Sequence, residues 1–305
     1  MDMDREGDDI LFNLLSKYSD IRQTALDIGC GNGIIAEKIR TRFELKTECL
    51  DPYAYYSGNK LHIIKTPAEE ISSLNRRYDI IYTIRAFHHI SSVEKFINGL
   101  KYVIAYNGVF ILVDWKNSFD TGIPESYYSL REVKSMFEKA NFTILESGEG
   151  KSVFYITMKY DFKNVHFPIK NGKPESLSES DTIIKSVDKD SFEIKDVENA
   201  REIAVLFSGK FGEREQSLNE KGIKIFLSSG NMKKDIRFFK SIDKLKRCIW
   251  QPSCPVYLRF KRGEIPSYWV DNYCFIGNKD CIRYQMEERG EYHSDYMLPN
   301  GEIVR

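Results

Sequence analysis

The sequence carries no net charge: 45 Lys and Arg residues balance 45 Asp and Glu. That balance excludes a chain that gathers polyanions by bulk electrostatics, as strongly basic proteins do. Long apolar runs are missing as well, none approaching the ~18 residues that a membrane-spanning helix needs. The opening stretch, MDMDREGDDI, is acidic and has neither the basic nor the apolar region of a secretory signal. Both absences point to a soluble chain kept in the cytoplasm. Cysteine is sparse, six in 305 residues. In a reducing compartment those six do not read as a disulfide framework, so a cluster among them reads as metal-binding or catalytic. There is no internal repeat. What remains is 42% hydrophobic and 30% charged, the make-up of a folded globular protein. The length gives room for two domains, since one core rarely outgrows ~250 residues.

From Thr24 to about Tyr160, short β-rich runs alternate with amphipathic stretches: ALDIG, KTECLD, HIIK, DIIYTI, GVFILVDW, a helical SLREVKSMFEKA, then FTILES and VFYITMK. Such alternation predicts a parallel sheet covered by helices. After Tyr160 the texture changes, and FPIKNGKPESLSESDT mixes Pro, Gly and Ser with charge, as linkers do. The expected domains are therefore 1–160 and 161–305. The second holds strand-like EIAVLFSG and GIKIFLSSG, then a basic stretch that leads to four cysteines. It reads as a smaller α+β domain.

The stretch ALDIGCGNG brings Gly29, Gly31 and Gly33 into one turn after an apolar run. A dinucleotide fingerprint, G-x-G-x-x-G, would need its third glycine at position 34, where Ile34 stands. The motif is instead D-x-G-x-G-x-G, led by Asp27, and the next strand ends at Asp51. In a doubly wound sheet ligands lie beyond the carboxyl ends of the strands, where an acid ending the second strand reaches the hydroxyls of a ribose. The competing reading is that both acids only cap helix N-termini.

Taken with their order and spacing, ALDIGCGNG, ECLDPY, YDIIYTIRAFHHI and NGVFILVDW resemble the class I S-adenosylmethionine-dependent methyltransferases of the small-molecule type, over residues 20–160. The resemblance implies a doubly wound, mostly parallel seven-stranded sheet of the Rossmann-like kind. It implies that Asp27, Gly29 and Gly31 line the methionine end of the cofactor and that Asp51 binds its ribose. Ala68 and Glu69 would lie at the adenine, and the backbone near Arg85 would close over the methionine portion. Two departures stand out. Only residues 52–61 separate Asp51 from His62, where the family inserts a full helix, and Pro67 replaces the acid that precedes the adenine-contacting alanine. His88 is a candidate base, since a neutral imidazole takes a proton near pH 7; in the family the His88–His89 pair structures the turn after the fourth strand. Asp114 and Trp115 end the fifth strand, where they can meet substrate.

Cys30 and Cys49 read as small turn or buried residues. Cys248 and Cys254 have five residues between them, Cys274 and Cys281 six, and residues 255–273 separate the pairs. Four thiolates suit structural zinc or an iron–sulfur cluster, although zinc pairs are usually spaced by two to four residues. Buried free thiols are the alternative. His293 is a replacement ligand. Between Asn231 and Gly263 basic residues at 233, 234, 237, 240, 244, 246, 247, 259, 261 and 262 face two acids, Asp235 and Asp243, with Phe238, Phe239, Trp250, Tyr257 and Phe260 among them. That pattern fits RNA binding or an amphipathic helix with a solvated basic face. Three function classes follow: a methyltransferase with a small-molecule acceptor, an RNA-modifying methyltransferase, and a non-catalytic metal-binding or sensory protein that holds the cofactor. Nothing in the sequence sets the oligomeric state.

Overall fold

A computed structural model of the chain describes residues 3–20, 22–74, 76–160, 184–187, 204–207, 211–227, 234, 238 and 245–304. The chain divides into two compact units, Met1–Phe162 and Lys163–Arg305. The linker expected at 161–181 lies outside the described residues, as does much of the basic stretch.

The first unit is built on strands β1 (Thr24–Ile28), β2 (Lys46–Leu50), β3 (His62–Ile64), β4 (Tyr78–Ile84), β5 (Ile104–Trp115), β6 (Phe142–Glu149) and β7 (Val153–Tyr160). They form one sheet in the order β3-β2-β1-β4-β5-β7-β6. Only β7 runs antiparallel to its neighbours β5 and β6. Every residue of β4, YDIIYTI, is buried, which is why its apolar run does not alternate: a parallel strand with both faces covered has no solvent side. Strand order reverses between β1 and β4, so the edge above that pair is where a doubly wound sheet opens a crevice. The seven-stranded, mostly parallel sheet expected from the sequence is the observed one.

Helices α1 (Met3–Tyr18), α2 (Ile34–Phe43), α3 (Val93–Leu100) and α4 (Leu130–Lys139) flank it. Leu11, Leu14 and Leu15 of α1 recur at helical spacing and join Ile80, Tyr82, Ile111 and Val113 in one core layer. Phe87, Phe96, Phe110 and Phe137 fill the other layer. α4 starts at a capping box, with the Ser129 side chain accepting from the Glu132 amide and the Glu132 carboxylate accepting from the Ser129 amide. No helix forms across 52–61; ten residues cannot hold a helix together with the two turns that would join it to β2 and β3.

In the second unit, β8 (Ile184–Val187), β9 (Ala204–Phe207) and β10 (Lys224–Leu227) pair in parallel in the order β10-β9-β8. α5 (Glu213–Glu220) lies between β9 and β10 in the chain. Parallel neighbours need a crossover, and α5 provides it between β9 and β10. α6 (Pro255–Lys261), α7 (Ser267–Trp269), a π-turn over Val270–Cys274 and α8 (Ile282–Glu288) follow. A buried polar network joins them to β10. Asn272 accepts from the Leu227 amide at 2.8 Å and donates to the Ile225 carbonyl at 2.7 Å. The Lys224 ammonium lies 3.4 Å from Asp271. Around it Leu218, Ile225, Val256, Phe260, Trp269, Val270 and Leu298 form a core of their own. Among the described residues, no helix is long and apolar enough to cross a membrane.

Candidate functional site

The parallel strands deliver Asp27, Asp51, Arg85 and Asp114 to one edge of the sheet, because each lies at or just past the carboxyl end of β1, β2, β4 or β5. Gly29 and Gly31 are both left-handed, at φ 76° and 52°. Their needs differ. A Cβ on Gly29 would come within 2.4 Å of the Ala86 Cβ, so this glycine lets the turn pack on the segment after β4. A Cβ on Gly31 would meet nothing within 4 Å. There the backbone borders open space.

The Asp51 carboxylate organises that backbone. One oxygen accepts the Gly31 amide at 2.8 Å and the other accepts the Tyr53 amide at 2.7 Å. A carboxylate has about four lone-pair directions, so each oxygen keeps capacity for a further donor. Asp27 is 1% exposed; its Oδ1 makes no hydrogen bond of good geometry, and the Tyr82 hydroxyl beside the carboxylate works against the effect of burial. Burial pushes its carboxyl up to about 8, and the charge of Asp51 adds to the rise. An acid so placed calls for a cation. Arg85, also left-handed at φ 51°, donates its amide to the Val113 carbonyl, and its Nη2 pairs with Asp8 of α1 at 2.8 Å. Asp8 and α1 were not legible as part of this edge, although the Leu11, Leu14, Leu15 spacing marks the helix.

Ala68 and Glu69 open a 3₁₀ turn over Ala68–Ser73. The Glu69 side chain is turned to α3, where Oε1 accepts the amides of Ser91 at 2.6 Å and Ser92 at 3.1 Å. Its carboxylate therefore serves the start of that helix, and only the backbone here is left to meet an adenine.

His88 and Asp114 meet. Nδ1 of His88 lies 2.8 Å from Asp114 Oδ1, and the His88 amide donates to Oδ2 at 2.9 Å. The His88 and Asp114 side chains are 3% and 2% exposed. The other ring nitrogen, Nε2, faces Glu125 at 3.4 Å. Glu125 and Tyr127, whose ring lies 4.8 Å from that of His88, come from the loop before α4 and had no signal in the sequence. One ligand-type atom each from His88, His89 and Glu125 lie within 4.8 Å of one another. Trp115 stacks on Phe119 at 5.9 Å.

In the second unit Cys248, Cys254, Cys274 and Cys281 line one cavity of about 50 Å³ with Trp250, Tyr273, Arg283 and His293. The Cys248 amide donates to the Cys274 carbonyl at 2.8 Å, fastening the two pairs together. Backbone amides of Trp250 and Gln251 reach the Cys248 sulfur, and those of Arg283 and Tyr284 reach Cys281. Burial raises the thiols of Cys248, Cys274 and Cys281, most strongly Cys274, where the other three sulfurs add to the effect. All six cysteines are free. Cys49 is buried with Ala36 and Leu61 in a small core, and the half-buried Cys30 packs against it.

Residues 3–147 match a family model described as a methyltransferase domain. The ubiquinone biosynthesis O-methyltransferase of Rickettsia canadensis (strain McKiel) is 26% identical over 180 residues, covering 50% of this chain and 76% of the relative. That of Rickettsia felis (strain ATCC VR-1525 / URRWXCal2) is also 26% identical over 180 residues, covering 50% and 73%. Among solved structures, a SAM-dependent methyltransferase from Aquifex aeolicus aligns over 48% of this chain and 87% of its own length, at 23% identity and a TM-score of 0.42. The N-terminal half of this chain is an S-adenosylmethionine-dependent methyltransferase domain. The matched domain is that of an enzyme using S-adenosylmethionine.

Proposed function

We propose that the chain methylates a hydroxyl oxygen of a small aromatic acceptor, with His88 as the base and Asp114 as its positioning residue. The observation that supports this most directly is the buried His88–Asp114 pair, two residues past the Ala86 on which the glycine turn packs. The hydroxylated acceptor class is taken from the names of the O-methyltransferase relatives.

The site fits the cofactor. Open space at Gly31 receives its methionine end, the buried Asp27 faces the amino group, Asp51 takes ribose hydroxyls, the backbone of Ala68 and Glu69 borders the adenine, and the backbone at Arg85 closes the methionine side. S-adenosylmethionine, when bound, supplies an electrophilic methyl group. Asp114 holds the His88 Nδ1–H, leaving Nε2 to accept the acceptor's hydroxyl proton as the new O–C bond forms. Glu125 stands where that hydroxyl would approach. Most of the rate comes from alignment of the two reactants.

The test follows S-adenosylhomocysteine release across catechols and phenols. His88→Gln is expected to lower kcat by roughly 10²–10⁴ with cofactor affinity unchanged, and Asp114→Asn to lower kcat as well. An unaltered kcat in His88→Gln overturns the assignment. A second reading, a divalent cation held by His88, His89 and Glu125 against the acceptor oxygen, is favoured instead if EDTA, His89→Ala and Glu125→Ala each abolish turnover.

For the second unit we propose a four-thiolate metal centre, iron–sulfur or zinc, on Cys248, Cys254, Cys274 and Cys281, in a chain kept in the reducing cytoplasm; the convergence of the four free thiols on one cavity supports both. The RNA-directed reading has little to rest on. Phe260 is fully buried with the Tyr257 ring 6.4 Å from it, and Arg259 is buried beside Glu264, so these two aromatics and this cation belong to the fold, while Arg262 pairs with Glu264 at the surface.

A further inference from the structure

Resting on the four-thiolate reading, we infer that Cys248, Cys254, Cys274 and Cys281 bind an iron–sulfur cluster rather than a single zinc ion, with Arg283 as the cation beside it. Sulfur spacing decides between the two. Four tetrahedral bonds of ~2.3 Å to one zinc place every pair of sulfurs about 3.8 Å apart. Among the described residues, the one set of three ligand-type atoms that all lie within 4.8 Å of one another is His88, His89 and Glu125. No three of the cysteine sulfurs come that close. A cluster needs no such crowding, because its thiolates bind different irons across a core of iron and sulfide. The space agrees: one water-sized sphere takes roughly 10–15 Å³, and the cavity between the cysteines offers about 50 Å³.

The surroundings are those of an anion. Arg283 is 2% exposed, and its Nη1 donates to the Ser294 carbonyl at 2.6 Å and the Met297 carbonyl at 3.0 Å. Its Nε and Nη2 have no partner among the described residues, although Arg283 lines the cavity. A buried guanidinium with two unspent donors is costly unless it meets negative charge. Thiolates and bridging sulfides both accept N–H donors and supply that charge. His293 repeats the pattern, with Nε2 on Glu287 at 2.9 Å and Nδ1 buried and unpartnered. The amides that reach Cys248 and Cys281 complete a shell of N–H groups around the sulfurs.

The full chain, purified without oxygen and reconstituted with ferrous iron and sulfide, is expected to hold iron and acid-labile sulfide in equal amounts. It should show broad visible absorption that dithionite bleaches. Cys→Ser at any of the four positions lowers iron content, while Cys30→Ser and Cys49→Ser do not. Iron X-ray absorption of the unmodified chain, which needs no variant to fold, should show a first shell of sulfur and, beyond it, neighbouring iron; sulfur alone would mean a single iron and overturn the cluster. Arg283→Gln should keep the iron and shift the reduction potential, a change that a purely structural arginine would not cause. One zinc per chain with no chromophore overturns the cluster and leaves the four-thiolate centre standing. Neither metal, with all four thiols freely alkylated, overturns both.

Discussion

Asp27 is held against its own preference: a carboxylate with almost no exposure and an oxygen that makes no hydrogen bond of good geometry. Its carboxyl is raised to about 8 from an unfolded value of ~3.9. Between those two values the folded state binds a proton that the unfolded chain does not. Stability from this group is therefore greatest below pH 4 and falls as pH rises toward 8. Asp27→Asn should flatten that slope in thermal melts of the cofactor-free protein. Ligand binding carries the opposite sign, because an ammonium at Asp27 favours the ionised form. At pH 6 cofactor binding should release a proton, read by calorimetry in buffers of different ionisation heat; equal apparent enthalpies would remove Asp27 from the site. Asp51 works differently, through neutral donors. Asp51→Ala should weaken binding by roughly 1.5–3 kcal/mol, the worth of a charge-assisted hydrogen bond lost with its acceptor, and an unchanged Kd would show that the ribose is held elsewhere.

At the scale of elements, Glu69 shows how a side chain in a cofactor-binding stretch can be claimed by a helix. It receives two amides ahead of α3, a job usually done by the residue at the cap itself, and Ser92 there makes no side-chain cap of its own. Glu69→Ala should cost about 1 kcal/mol of stability while leaving cofactor affinity near its original value. A large affinity loss without a stability change would return the carboxylate to the adenine. This division was not readable in TPAEEI, where nothing marks a partner 22 residues away. The strands were readable: β4 and β5 are apolar runs bounded by charge, and β1 ends in the acid-led glycine turn. α4 was readable as the amphipathic SLREVKSMFEKA. What the sequence hid depends on tertiary approach, such as α1 reaching Arg85 through Asp8, or Glu125 arriving before His88 from a loop with no periodicity. The four cysteines were visible as residues, but their convergence needed the π-turn that brings Cys274 under Cys248.

At the scale of the whole molecule, each unit has its own core, aromatic layers around the sheet in Met1–Phe162 and the cluster of Phe260, Trp269 and Val270 in Lys163–Arg305. The second core changes what losing the thiolate centre should do. Leu218, Ile225, Val256 and Leu298 are buried there alongside a satisfied polar network. Metal loss should then loosen this unit rather than unfold it, since binding free energy adds to a core that already exists. Calorimetry of the full chain should resolve two transitions. Stripping the metal, or Cys274→Ser, should lower one of them and leave the other in place, together with cofactor affinity and methyl transfer. The fixed transition should match that of residues 1–162 expressed alone, because their sheet closes at β7 and their two core layers draw only on their own residues. If both transitions move together, or if 1–162 fails to bind S-adenosylmethionine, the two cores are one cooperative system and the thiolate centre acts on the methyltransferase half through it.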